Sequence, residues 1–220
     1  MKYSFEVKGV TPLMVHSDSV EGAGLLKEWR SDPGNKGKSV AGDDRSPSWS
    51  WITYLHHDGQ QLVIPSMMLK ACLRNAGAKV PYDKSPAFKT FKPICGQGIV
   101  FDKIEFPLLV KGKPVLLETL VPLFEIDADM EAHFNAAKAL GFSLDVRRVK
   151  VGQSKHVRVR PVFSDWSIKG AFEVVMESEL KLSDMKKIVA IAGNSFGIGD
   201  WRPQTFGEYG RFQMNLQTAK

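Results

Sequence analysis

From the third residue onward Tyr3, Phe5 and Val7 alternate with Ser4, Glu6 and Lys8, the two-residue period of a half-buried strand. Gly9 and Pro12 end it. Between Asp18 and Trp51 the chain is rich in Gly, Ser, Pro and Asp and holds neither period, so residues 10–60 read as a long insertion or mobile loop. A short strand, Gln61 to Ile64, leads through Pro65-Ser66 into a helix over Met67–Ala76 that Gly77 closes. Strands are predicted at Ile99–Phe106 and Val115–Leu120, and a helix over Ala128–Leu140. Val146–Val151 and His156–Phe163 alternate around Gly152-Gln153-Ser154, which predicts a β-hairpin. A strand at Ala171–Met176 follows. Ser183 then caps a helix carrying Met185, Ile188, Val189 and Ile191 and ending at Gly193, and Gly210–Leu216 supplies a last strand.

With the insertions 10–60 and 107–165 set aside, the order is strand 3–8, helix 66–76, strands 99–106 and 171–177, helix 183–192, strand 210–216. This βαββαβ order predicts an α+β protein with a ferredoxin-like (RRM-type) core. No linker divides the 220 residues, so one domain is expected. With 43% hydrophobic and 25% charged residues the chain is not disordered, and its length suffices for a core without disulfide or metal staples. Cys72 and Cys95 have neither zinc-site nor secreted-framework spacing and read as reduced thiols, which points to the cytoplasm. The N-terminus lacks an apolar signal core, and no run approaches the roughly 18 apolar residues of a membrane span. No membrane association, cofactor or metal is expected.

The net charge of +6 is localised. Val146 to Ser164 contains no acid but holds Arg147, Arg148, Lys150, Lys155, Arg158 and Arg160. Alternation sends Arg148 and Lys150 to one face of their strand, and His156, Arg158 and Arg160 to one face of the next, with Val149, Val151, Val157 and Val159 opposite. If the two basic rows share a side, like charges face each other unless an anion such as a phosphate chain lies between them. The plainer alternatives are a solvated face with splayed stems, or pairing with acids from elsewhere in the fold.

The second feature runs from Gly193 to Phe212. Five glycines permit positive φ and close backbone approach, while Trp201, Phe206, Tyr209, Arg202 and Arg211 offer stacking planes and phosphate-binding forks. There is no Gly-Lys-Ser/Thr, and the glycines lead out of a helix, so this is not a mononucleotide loop. The alternative is a tight buried loop whose rings complete the core.

Three segments together resemble the RAMP superfamily, the Cas7-like RNA-binding proteins of CRISPR effector complexes: Val7-Lys8-Gly9-Val10-Thr11-Pro12-Leu13, Val63–Arg74, and Gly197–Phe212. The last, with its GIGDWRP and GRF, is also similar to small phage- and prophage-encoded proteins. The resemblance implies a fold that grips a single-stranded RNA backbone, often as repeated subunits of an antiviral assembly. It implies phosphate contacts from Ser66, Lys70 and Arg74, and from Gly197, Gly199, Arg202, Gly207, Gly210 and Arg211. The chain departs from the family in having Ile-Pro-Ser where many relatives have Ile-Pro-Gly-Ser, and Asp200-Trp201 within the usual glycine–arginine run.

The expected function is therefore non-catalytic binding of single-stranded nucleic acid, RNA before ssDNA, by a homo-oligomer or a subunit of a larger complex. The site residues would be Arg148, Lys150, Lys155, His156, Arg158 and Arg160 of the hairpin and Trp201, Tyr209 and Phe206 of the loop. One alternative is a RAMP-type endoribonuclease using Asp43, Asp44 or His16, with Asp32 and the pair His56-His57 as further candidates; short acids in a Gly/Ser/Pro segment are more simply turn residues. Another is a structural subunit of a phage or defence assembly.

Overall fold

The N-terminal alternation forms a strand, and its apolar side founds the core. The structure is a computed structural model describing residues 1–38, 42–83, 88–126 and 130–218. In chain order its elements are β1 (Lys2–Gly9), β2 (Leu13–Met14), α1 (Val20–Ser31), β3 (Val63–Pro65), α2 (Ser66–Gly77), α3 (Lys92–Gly98), β4 (Ile99–Phe101) and β5 (Glu105–Pro107). There follow β6 (Leu109–Val110), β7 (Lys113–Pro114), α4 (Met130–Ala139), β8 (Ser143–Val151), β9 (Ser154–Phe163), β10 (Trp166–Val174), α5 (Leu182–Ile191) and β11 (Phe212–Thr218).

The main sheet is antiparallel, ordered β11-β1-β10, with β4 and β6 sharing the outer edge of β10 and β7 beyond β6. Pairing of Tyr3 with Phe172, and of Val7 with Ile168 and Met214, puts these side chains on one face. There they join Leu69 and Leu73 of α2 and Met185, Ile188 and Val189 of α5 in one buried cluster. In α2 the buried residues Leu69, Cys72, Leu73 and Ala76 recur at helical spacing, and each fully buried large side chain is worth about 1.5–3 kcal/mol. The other face carries Ser4, Glu6, Lys8, Lys169, Gln213, Asn215 and Gln217, an open polar surface. The class is α+β. No helix among the described residues is long and apolar enough to cross a membrane.

Several elements differ from expectation. The Gly/Ser/Pro-rich segment carries α1, capped by Ser19, whose hydroxyl accepts from the Gly22 amide at 3.1 Å. Its apolar stripe is thin, Gly22, Leu26 and Trp29, and Gly22 is needed because an added methyl would lie 2.6 Å from Thr53 Cβ. Trp49, Trp51 and Ile52 from the same segment are buried in the core. Val115–Leu120 is not a strand: Leu117–Thr119 forms a single 3-10 turn. Ile99–Phe106 divides into β4 and β5, which belong to different sheets. The second crossover helix starts at Leu182 after Lys181, without a side-chain cap from Ser183. Nor does Gly193 end it, since a π turn runs to Phe196 before Gly197 breaks it at φ +65°. Residues 128 and 129 of the helix expected over Ala128–Leu140 lie outside the described residues.

Candidate functional site

The hairpin register decides which cations meet. β8 and β9 pair through Val151↔Ser154, leaving a two-residue loop in which Gly152 takes φ +60°. A three-residue loop of Gly152-Gln153-Ser154 would oppose Arg148 to Arg158; the actual register opposes Arg148 to Val157 and Arg147 to Arg158. One residue of slip exchanges the faces of a strand. The basic rows expected from alternation therefore do not share a side. One face carries Asp145, Arg147 and Val149 against Arg160, Arg158 and His156; the other carries Val146, Arg148 and Lys150 against Val159, Val157 and Lys155. The side chain of Val151 lies outside the described residues.

On the first face the arginines are already paired. Residues 42–44 run alongside β9, with the Val157 amide donating to Gly42 O at 2.8 Å and the Asp44 amide to Val157 O at 2.9 Å. This places the Asp44 carboxylate, 7% exposed, between two guanidiniums. Arg158 Nη1 donates to it at 2.8 Å and Arg160 Nη1 at 3.1 Å. Arg147 is held by both oxygens of Asp145. Like charges opposed across the ladder are thus neutralised from inside the protein. The expectation that Arg158 and Arg160 await an external phosphate is corrected by Asp44. His156 packs against Gly42, where an added methyl would overlap its ring. By contrast Arg148, Lys150 and Lys155 are exposed and, among the described residues, take part in no ion pair.

The C-terminal loop is tied to the segment after β1. Gly210 N donates to Pro12 O at 2.7 Å and Asp200 N to Met14 O at 2.8 Å. Gly210 takes φ +71°, and an added methyl there would overlap Ile198 O, so glycine is required. The rings do not complete the core: Trp201 is 45% exposed and Phe206 101%, both on left-handed backbone. That conformation is strained for an aromatic residue and here presents the rings outward. Loop and hairpin meet at Arg147, whose Cζ lies 4.7 Å from the Trp201 ring centroid and 5.2 Å from that of Tyr209, and whose guanidinium donates to the Tyr209 hydroxyl. Such stacking is worth about 0.5–2 kcal/mol. Between the two elements opens a cavity of about 380 Å³, lined by Met14, Asp145, Arg147, Val149, Lys150, Arg158, Arg160, Asp200 and Trp201.

The remaining sequence candidates are scattered. Gly197, Gly199 and Arg202 line a second cavity of about 260 Å³ with Met67 and Met68 at the start of α2. Arg202 folds back onto Gly199 O (2.9 Å) and Gln204, and Arg211 onto Asn194 O and Glu208, so both forks brace their own loop. Ser66 is buried, Lys70 half-buried and Arg74 exposed against Gly96. Asp43 pairs with Arg45 and Asp32 accepts from Gly34 N, both turn roles. His16 and Asp44 do come together, on Arg160: Arg160 Nη2 donates to His16 Nδ1 at 3.4 Å. Burial, then the charge of Arg160, holds His16 below the ordinary histidine range, and burial does the same to His56. Tyr54 closes this cluster, its ring 4.4 Å from Arg160 Cζ and 4.6 Å from the His16 ring. Buried Nε2 of His56 and Nδ1 of His57 have no hydrogen-bond partner among the described residues. Among the described residues no three His, Cys, Asp or Glu side chains are grouped to hold a metal.

Sequence reasoning missed Asp145, Asp200, Tyr54 and the bracing role of Arg147. Asp145 immediately precedes the acid-free stretch, and its i, i+2 spacing from Arg147 was the available signal. No protein-family model matches the chain, and no curated protein matches it.

Proposed function

We propose that this chain binds single-stranded nucleic acid, RNA in preference to DNA, through the β8–β9 hairpin and the C-terminal loop, as one of several subunits along the strand and without cutting it. The observation that carries this reading is the stack of Arg147 on Trp201 and Tyr209. It joins a hairpin bearing exposed Arg148, Lys150 and Lys155 to a loop bearing exposed rings, the combination of cations and stacking planes that single strands require. Among the described residues the polar face of the main sheet offers no aromatic side chain from its strands, which argues for the loop as the source of stacking. The ferredoxin-like assignment has its support in the sheet order β11-β1-β10-β4, with α2 between β1 and β4 and α5 between β10 and β11. Titrating labelled single-stranded RNA and DNA at several salt concentrations tests the reading. Neutralising about four phosphates gives a log–log slope near about −3; a slope of zero, or no binding at low salt, overturns it.

A second reading, an endoribonuclease, has one observation in its favour: His16, whose pKa burial lowers, and Asp44 meet at Arg160. RNA cleavage lost in His16→Ala but retained in Asp43→Ala would establish it over the first.

A further inference from the structure

We infer that the cavity between the hairpin and the C-terminal loop is a guanine-selective base pocket, an inference that rests on the nucleic-acid reading and adds base preference to it. A groove made only for phosphates would be lined by cations alone, but this one sets Asp145 and Asp200 among Arg147, Lys150, Arg158 and Arg160, with apolar Met14 and Val149 and the aromatic Trp201 also in the lining. Such a lining fits a ligand that is flat and carries both donors and acceptors.

The two carboxylates differ in commitment. Asp145 gives both oxygens to Arg147. Among the described residues Asp200 accepts only from its neighbour's amide, Trp201 N at 3.0 Å, and stands 3.7 Å from Arg160 Nε, leaving acceptor capacity on a side chain 35% exposed. Among the described residues Arg158 commits only Nη1, to Asp44, so its remaining N–H groups are uncommitted. A carboxylate receives two adjacent N–H donors, which guanine presents at N1 and N2 and no other standard base presents on that edge; an arginine fork suits guanine O6 and N7. About 380 Å³ is ample for a purine and part of its sugar.

The same base can arrive in an RNA strand or as a free nucleotide, and two arms on the full chain separate these. Calorimetry compares guanosine, adenosine, cytidine and uridine 5′-monophosphates; anisotropy compares a labelled uridine run with the same run carrying one guanosine. A guanine preference of about 5- to 150-fold in either arm supports the pocket. Selection of the mononucleotide with no oligonucleotide binding keeps the pocket, names a free nucleotide as its ligand and removes the nucleic-acid reading. Oligonucleotides bound without base preference, with no guanine preference among the mononucleotides either, overturn the pocket and leave that reading intact, and no binding in either arm overturns both. Asp200→Asn exchanges one acceptor for a donor and is expected to lose the guanine preference and favour adenine. The readout is an affinity ratio within one variant, checked by thermal unfolding, so partial loss of fold does not mimic it. Retained guanine preference in Asp200→Asn overturns the assignment of the base edge to Asp200.

Discussion

Asp44 and Arg160 lie 116 positions apart in the chain and form a 3.1 Å ion pair in which both residues are buried. Through it the segment before the buried Trp49 and Trp51 is fastened to β9, and the same carboxylate holds Arg158. Removing one partner of a buried pair leaves an uncompensated charge. Asp44→Ala, which strands two guanidiniums, is expected to cost about 3–5 kcal/mol in urea unfolding. Asp43→Ala, which removes the ion pair with the exposed Arg45 and a local bond from the Arg45 amide, should cost less, about 1 kcal/mol. For the same reason Arg158→Glu with Arg160→Glu is expected to destabilise the fold, since it faces two new carboxylates with Asp44.

The proposed nucleic-acid binding is instead best probed on the other face of the hairpin. Arg148, Lys150 and Lys155 are exposed, so replacing all three by Glu should leave the melting temperature nearly unchanged. It should weaken single-strand binding steeply and flatten the salt slope by about 2 if all three reach phosphates. Anisotropy titrations with a melting control check both halves.

Stability should decline as pH falls from about 6.5 to about 5.5. Burial lowers the pKa of His16 and His56 below the ordinary 6.5. Below that value the unfolded chain therefore takes up protons that the folded protein refuses, and folding is penalised. Above it both states are neutral and the dependence vanishes. Carboxylates with lowered pKa, such as Asp43 and Asp58, lose their contribution only at lower pH. Thermal melts across this range should show the decline, and His56→Gln should reduce it.

Gly210→Ala combines left-handed backbone with overlap against Ile198 O, and is expected to cost about 2–4 kcal/mol. Gly59 also has positive φ, +89°, but open space around its Cβ position, so Gly59→Asn should cost no more than about 1 kcal/mol. Chemical denaturation of the two variants side by side separates crowding from backbone strain.

Period was enough to locate β1, α2, α5 and β11, because each buries one side of itself and writes that side into its spacing; alternation also located the two hairpin strands, although Val146 is exposed and the second half of β9 is buried at consecutive positions. Helix α1 was not legible: Gly22, which fits over Thr53, has no side chain to mark a period, and Leu26 and Trp29 are too few apolar positions to read as a stripe. The cationic stretch was equally plain in the chain, but its geometry turned on whether the hairpin loop held two residues or three, and that choice reversed which charges are neighbours. Asp44, His16 and Tyr54 meeting Arg160, and Arg147 stacking on Trp201, were decided by tertiary structure alone. These partners come from segments remote in the chain, and no local rule of spacing relates residues that only the packed fold brings within reach.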